Sequence, residues 1–467
     1  MINAISLSEL VEPLKATLHN GLVTVEGVST DTRSVERGDL FVALKGDRFD
    51  AHDFLQDAVE AGAASLLVDR HIDGVSLPQL QVEDTTLALG ELAKINRRAF
   101  HKPLIAMTGS CGKTTVKEML STVLSAEGRV HVTLGNLNNH IGVPLTLLAL
   151  DEAADYAVIE MGASGLGEID YLATMAEPDV ALLTNVMPAH LEGFGSKDGV
   201  AQEKSNIYRK LKPGGTAVLN LDEPYCDQWV RELAETRTDV AQLTFSTQTQ
   251  SADVYAKSVK LGANGRYEFD LCNDSDQARV SLPLLGAQNV SNALAVAACA
   301  LSVGVSLESI ASSLQKVVPF SGRLVSKPGQ KQSIVIDDTY NANPGSVLAA
   351  ARVLMDMSSQ GKEVVLVLGD LGELGEDEVQ TLRQLGLDLA ALGLPTLFSL
   401  GKNSAQISSA FSASQVATSS SQHFLYQQEL IQHLTNLLTD NTVVLVKGSR
   451  SARMENIVQA ITLGGEQ

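Results

Sequence analysis

The feature that most constrains this chain is the run Leu104-Ile105-Ala106-Met107-Thr108-Gly109-Ser110-Cys111-Gly112-Lys113-Thr114-Thr115. The apolar residues 104–107 predict a short buried strand. Gly109, Ser110, Cys111 and Gly112 follow as a tight loop of small residues. A helix then opens at Lys113, with Val116, Met119, Leu120 and Val123 on one face. Strand, glycine loop and helix start together make a phosphate cradle. Backbone N–H groups face the anion, Lys113 reaches the outer phosphates, and the Thr114 hydroxyl is placed to ligate Mg²⁺. Thr115 continues the same first turn. The strict pattern asks for glycine where Met107 stands, so this is a shortened Walker A loop. An ordinary strand-to-helix turn is the alternative. The buried strand before it and the amphipathic helix after it favour the nucleotide, ATP by type.

At 467 residues the chain is long enough for about three domains, each with its own core. Hydrophobic content of 44% and a mean hydropathy of +0.07 fit a globular chain. The longest apolar run, 293–305, is too short to span a bilayer. The N-terminus lacks the basic start and apolar stretch of a signal peptide. Cys111, Cys226, Cys272 and Cys299 show no CxxC spacing, so neither a zinc site nor a disulfide framework is indicated. A cytoplasmic enzyme, acting as a monomer, is the expectation. Net charge of −20 argues against nucleic acid as a partner. It leaves room for anionic substrates, because a few cations and a bound Mg²⁺ invert the sign inside a pocket.

Residues 1–101 read as a small α/β domain. Ser29 and Arg33 lie in a turn before the strand Asp39 to Leu44, and Lys45, Arg48, Asp50 and His52 follow it. Such residues beside strand ends can hold a diphosphate. From spacing alone, surface loops with solvated charges are the stronger reading. Asp84 then caps a helix running to about Arg98.

Residues 102–320 form the predicted nucleotide domain, a P-loop-type sheet. The loop Gly135-Asn136-Leu137-Asn138-Asn139-His140 precedes a helix containing Pro144. Asn138, Asn139 and His140 can orient a sugar or peptide substrate, although turn chemistry favours Asn and Gly there in any case. The strand Tyr156 to Glu160 ends in a carboxylate, the place where such sheets hold Mg²⁺; a capping or edge Glu is the alternative. His190 falls in a loop after the strand ending at Thr184, at the same sheet edge, and is a weak ligand candidate on its own. Lys204, in a helix over 198–210, reads as a solvated surface lysine. Asn289 and Asn292 share a helix face and can grip an adenine edge, though helix capping explains Asn289 equally well.

Residues 321–467 alternate strands with helices, which predicts a Rossmann-like doubly wound sheet. Its polar loops, including Asp338, Asn341 and Asn343 after the first strand, gather at strand carboxyl ends as a second half-site. The serine-rich run 404–421 reads as a mobile surface segment.

Taken together, these motifs resemble the Mur ligase family. The resemblance spans all three domains. It rests on the shortened Thr-Gly-Ser-Cys-Gly-Lys-Thr-Thr loop, Gly-Asn-Leu-Asn-Asn-His-Ile-Gly-Val-Pro, Ile-Glu-Met-Gly, Asp-Asp-Thr-Tyr-Asn-Ala-Asn-Pro and Val-Lys-Gly-Ser-Arg. It implies an ATP-dependent joining of D-Ala-D-Ala to UDP-N-acetylmuramoyl-tripeptide through an acyl phosphate. It also implies that Ser29, Arg33, Lys45 and Asp50 face the uridine-diphosphate end, reviving the reading that spacing disfavoured. Lys113 and Thr114 would take the ATP phosphates and Mg²⁺, with Glu160 and His190 as metal ligands. Lys204 matches a lysine that many members carry as a carbamate. Asn289 and Asn292 would contact adenine, while Arg323 and Asp338 would approach ribose and phosphates. Gln288 stands where members often have His, and Asn206 where Glu is common. The rivals are a sister ligase of the superfamily, such as folylpolyglutamate synthase, and a P-loop switch or motor.

Overall fold

The strand Leu104–Thr108 is the hinge of the architecture. All five residues are buried, and their side chains alternate between two cores. Leu104 and Ala106 enter one, and Ile105 and Met107 the other. Burial on both faces is what a central strand of a parallel sheet requires. In the computed structural model, which describes residues 1–46, 49–188, 191–262, 265–375, 377–414 and 419–464, this strand lies between Tyr156–Glu160 and Val180–Leu183. Six further strands complete a nine-stranded sheet. Val130–Val132 lies outside Tyr156–Glu160, and Thr216–Asn220, Ala241–Ser246 and Val254–Leu261 extend the parallel side. Arg266–Cys272 and Gln277–Leu285 close it as antiparallel strands. Helices Lys113–Leu124 and Gln288–Ser302 cover one face.

The first unit has a five-stranded sheet in the order Thr17–His19, Gln79–Gln81, Ser65–Val68, Asp39–Val42, Gly27–Ser29. Its helix Thr85–Ala99 starts where expected: Asp84 accepts from the N–H groups of Thr86 (2.7 Å) and Leu87 (3.1 Å). That helix also welds the unit to the central sheet. Arg97 is fully buried and donates to the carbonyls of Ala176 (2.6 Å), Phe100 (2.7 Å) and Glu177 (2.9 Å), and to the Asp179 carboxylate (2.9 Å). Alanine at 97 takes this donor from three carbonyls and leaves the Asp179 carboxylate with the Leu104 N–H (2.9 Å) and Lys212 (3.5 Å). Arg97→Ala is therefore expected to cost about 3 kcal/mol or more, read as a fall in the urea midpoint. Arg97→Lys should recover little, because one ammonium cannot reproduce a planar fork of donors.

The third unit is the doubly wound sheet that the alternation of elements predicts. Its order is Val325–Pro328, Ile334–Asp338, Thr442–Lys447, Glu363–Gly369, Thr396–Leu400, Ser420–Phe424, with only the first strand antiparallel. Along one strand Val364, Leu366 and Leu368 face one helical layer, while Val365 and Val367 face the other. The three α/β units thus match the expected class. The serine-rich run does not behave as expected. Ala405–Ala413 is a helix anchored by buried Ile407 and Phe411, and Ser420–Phe424 pairs in register with Thr396–Leu400. Two apolar residues four apart outweigh the serine content, which composition alone could not show. Residues 415–418 lie outside the described residues.

Candidate functional site

The carboxyl ends of the two large sheets face each other across a cavity of about 480 Å³. The glycine loop forms its floor. Gly109 and Gly112 take positive φ (149° and 83°), and neither has room for a side chain. A Cβ on Gly109 would overlap the Thr184 hydroxyl, and one on Gly112 would come 2.9 Å from Asn292 Oδ1. Neighbouring loops pin the backbone. Ser110 N–H donates to the Asn185 carbonyl (3.0 Å), and Cys111 N–H to Asn185 Oδ1 (2.9 Å). The Cys111 carbonyl accepts from Thr184 Oγ1 (2.8 Å) and Asn185 Nδ2 (3.0 Å). The amides of Ser110 and Cys111 are therefore already engaged. The donors left for an anion are the first-turn N–H groups of the helix opening at Lys113, including Thr114 and Thr115.

Lys113 Nζ donates to the Gly109 carbonyl (2.7 Å). Burial pushes its ammonium below the usual lysine range, and the charge of Glu160 works against that shift. Glu160 ends its strand beside Met107 and is 2% exposed. One carboxylate oxygen accepts from Asn138 Nδ2 (2.8 Å), while the other is buried and has no partner. A buried carboxylate oxygen without a partner is costly, which makes this one, in a cavity wall, a candidate to meet a cation.

The third unit reaches onto the same floor. Arg323 Nη2 donates to the Thr114 hydroxyl (3.0 Å), and its guanidinium stacks on the Tyr340 ring at 4.3 Å. Asn343 caps the helix Pro344–Ser359 and touches the Cys111 thiol (3.6–3.7 Å). Asn341 lies in the cavity wall, its carbonyl accepting from Lys447 Nζ (2.9 Å). Asp338 is buried and paired with Lys447 (2.7 Å). Burial pushes its carboxyl up, while Lys447 and then Arg323 pull it back down. Asn289 and Asn292 line the opposite wall. Asn289 is not a helix cap: Ala287 holds that position, while Asn289 Nδ2 donates to the Leu285 carbonyl (2.8 Å) and its Oδ1 accepts from Asn292 (2.8 Å).

Other sequence-predicted residues lie elsewhere. His140 is exposed and does not line this cavity, whereas Asn139 lines it but uses Oδ1 to accept from the N–H groups of Ile141 (3.2 Å) and Gly142 (2.9 Å). Ser29, Arg33, Lys45 and Asp50 lie outside the cavity, in the first unit. Ser29 is buried and bonds within its turn; Lys45 is exposed; Arg33 is exposed and paired to Asp31. Asp50 caps a short turn. It accepts from the His52 backbone (3.0 Å), His52 Nδ1 (2.6 Å) and Arg70 (3.2 Å), so its carboxylate is held down to about 2. His190 lies outside the described residues.

Lys204 corrects its composition-based reading. It is 1% exposed in the helix Lys197–Arg209, with its ammonium 5.6 Å from the Phe194 ring. Burial first, and the Lys113 charge second, push it down to about 7. Sequence reasoning held Lys447 only as part of the Val-Lys-Gly-Ser-Arg motif at a strand end and gave it no role of its own. Its signal was present: it ends a strand beside, and in register with, the strand ending in Asp338.

Two α/β sheets meeting over a glycine-loop floor, with a third unit alongside, is an arrangement shared with known proteins. Three family models match in chain order: "Mur ligase family, catalytic domain" over 24–97, "Mur ligase middle domain" over 107–300 and "Mur ligase, glutamate ligase domain" over 322–450. The chain belongs to the Mur ligase family. It is 41% identical over 464 residues to the UDP-N-acetylmuramoyl-tripeptide–D-alanyl-D-alanine ligase of Escherichia coli strain K12, covering 99% of both chains. The protein of the same name from Haemophilus influenzae is 39% identical over 468 residues, with 98% of each chain covered. Among solved structures, MurF from Acinetobacter baumannii superimposes with a TM-score of 0.88, 37% identity and 98% coverage of each chain. MurF ligase from Thermotoga maritima in complex with ADP gives a TM-score of 0.81 and 26% identity over 93% of this chain and 97% of that one.

Proposed function

We propose that this chain uses ATP to join D-Ala-D-Ala to UDP-N-acetylmuramoyl-tripeptide, a step in peptidoglycan precursor synthesis that yields ADP and phosphate. One observation carries the reading: Lys113, the open oxygen of Glu160 and Arg323 of the third unit converge on one cavity. Phosphoryl transfer to a carboxylate needs cations on both sides of an anion-rich centre.

The residues present fit Mg²⁺. Glu160 offers an unpaired buried oxygen and Thr114 a hydroxyl on the cradle, so these two would hold it. His190 and Lys204 complete the proposed set. An amine held near 7 is partly neutral at physiological pH, which addition to CO₂ requires, and the resulting carbamate would bring Lys204 in as a carboxylate. When bound, the metal would neutralise charge on the transferring phosphoryl group.

The tripeptide's terminal carboxylate oxygen attacks the γ-phosphorus, and the bond to the bridging oxygen of ADP breaks. Lys113 and Arg323 screen the two anions as they approach. The amine of D-Ala-D-Ala then adds to the acyl-phosphate carbonyl; the tetrahedral adduct loses its proton and expels phosphate. Closure of the units on binding would keep water from the acyl phosphate. Asn289 and Asn292, bonded to each other in the cavity wall, are assigned to the base, and the Asp338–Lys447 pair lies at the third unit's edge of the pocket. The uridine-diphosphate end is assigned to the first unit, where Lys45 is exposed and Asp50 shapes the turn behind it.

The test is phosphate release from ATP with both substrates, with each alone and with neither. Release is expected only with both. Release independent of both would favour a P-loop switch or motor and sink the ligase reading.

A further inference from the structure

We infer that Asn138 is a positioning residue for the cation site, holding the Glu160 carboxylate in the rotamer that leaves one oxygen open. The inference rests on the Mg²⁺ reading above. Asn138 belongs to an Asn-rich loop whose composition suggests substrate contact, but its amide nitrogen is already committed. Its Nδ2 donates to Glu160 Oε1 at 2.8 Å. That assignment of the amide is forced, because an ionised carboxylate only accepts. Its Oδ1 lies over Gly162, where a Cβ would come within 2.9 Å, so the glycine makes room for the amide.

The backbone fixes the same geometry. Gly162 N–H donates to the Asn138 carbonyl (2.8 Å), and Asn138 N–H to the Asn136 carbonyl (2.7 Å). On the other side Glu160 N–H donates to Thr133 Oγ1 (3.0 Å), and the Thr133 carbonyl accepts from buried Lys117 (2.7 Å). Strand end and loop are thus locked together. Of the two carboxylate oxygens, Asn138 occupies one and the other stays buried and unpartnered. A bond of this kind behind a carboxylate ligand sets its orientation and basicity. Without it the carboxylate is free to rotate and the open oxygen loses its aim.

The experiment measures ADP affinity by calorimetry with and without Mg²⁺, for the full chain and for Asn138→Ala. In the variant the Mg²⁺-dependent gain in affinity is expected to shrink about 10- to 100-fold, with metal-free ADP affinity unchanged. The Gly162–Asn138 backbone bond survives the substitution, so a thermal melt close to that of the parent is expected. In a Glu160→Gln background the same change should cost nothing further, because Asn138 acts through that carboxylate. A raised KM for the UDP-linked tripeptide with an intact Mg²⁺ gain would make Asn138 a substrate contact and overturn the inference. An additional loss in the Glu160→Gln background would also overturn it. If the parent chain shows no Mg²⁺ gain at all, the metal reading itself falls, which is a distinct result from a gain that Asn138→Ala leaves untouched.

Discussion

Lys113→Ala is expected to lower turnover by about 10²- to 10³-fold or more, while binding of the UDP-linked substrate stays within a few-fold of the parent. The ammonium is the cation on the cradle itself. It sits half-buried on the cavity floor, where desolvation already disfavours its charge. A group kept charged against that cost gives more to a developing anion than a solvated lysine would, because little water competes with it. The proposed uridine-diphosphate residues, Ser29, Arg33 and Lys45, lie in the first unit and outside this cavity. The two binding events are therefore separable. Single-turnover kinetics would read the first, and equilibrium titration of the UDP-linked tripeptide the second. Loss of both together would show that the cradle and the first unit are not independent. The change also removes a donor to the Gly109 carbonyl, so a melting curve accompanies the assay to separate loosening of the loop from loss of charge.

What could be read in advance divides along a physical line. The cradle, the strand ending in Glu160 and the alternating third unit were legible because each is local: a few consecutive residues carry the apolar period, the turn chemistry and the functional group at once. The helix cap at Asp84 was legible for the same reason. Lys204 was not, because its burial is created by the Phe194 segment and by the sheet end that holds Lys113, neither of which its own helix announces. Only the resemblance to a family singled it out. Asp50 and Asn138 were identified as polar residues in suggestive loops, yet nothing in their spacing says that His52 and Arg70, or Glu160, would engage them first. Lys447 needed the strand order: once Thr442–Lys447 is known to lie beside Ile334–Asp338, the pairing with Asp338 follows. The serine-rich segment failed in the opposite direction, with composition masking the two anchors Ile407 and Phe411.

Lys204→Met is expected to do two things that usually oppose each other in a mutant screen: cut turnover by about 10- to 100-fold, and raise the melting temperature near neutral pH. The turnover loss follows from the proposed metal role, which methionine cannot fill in any modified form. The stability gain follows from burial. Unfolded, the Lys204 amine keeps its proton up to the ordinary value of 10.5; folded, it releases it near 7. Between those values the unfolded chain binds more protons, so this group makes stability rise with pH across that window. Below about 7 both states are protonated and the buried ammonium imposes its whole cost. Methionine keeps most of the apolar stem and drops the charge, along with its repulsion of Lys113. The gap in melting temperature should therefore be widest at pH 7 and below, narrow steadily above it, and close as pH approaches 10.5. Bicarbonate-free buffer is essential, because carbamylation would replace the ammonium with an anion and change the sign of its interaction with Lys113. A variant less stable than the parent at pH 7 under those conditions would mean that the ammonium is held by partners strong enough to repay its desolvation. The trade between a destabilised lysine and its function would then have to be abandoned.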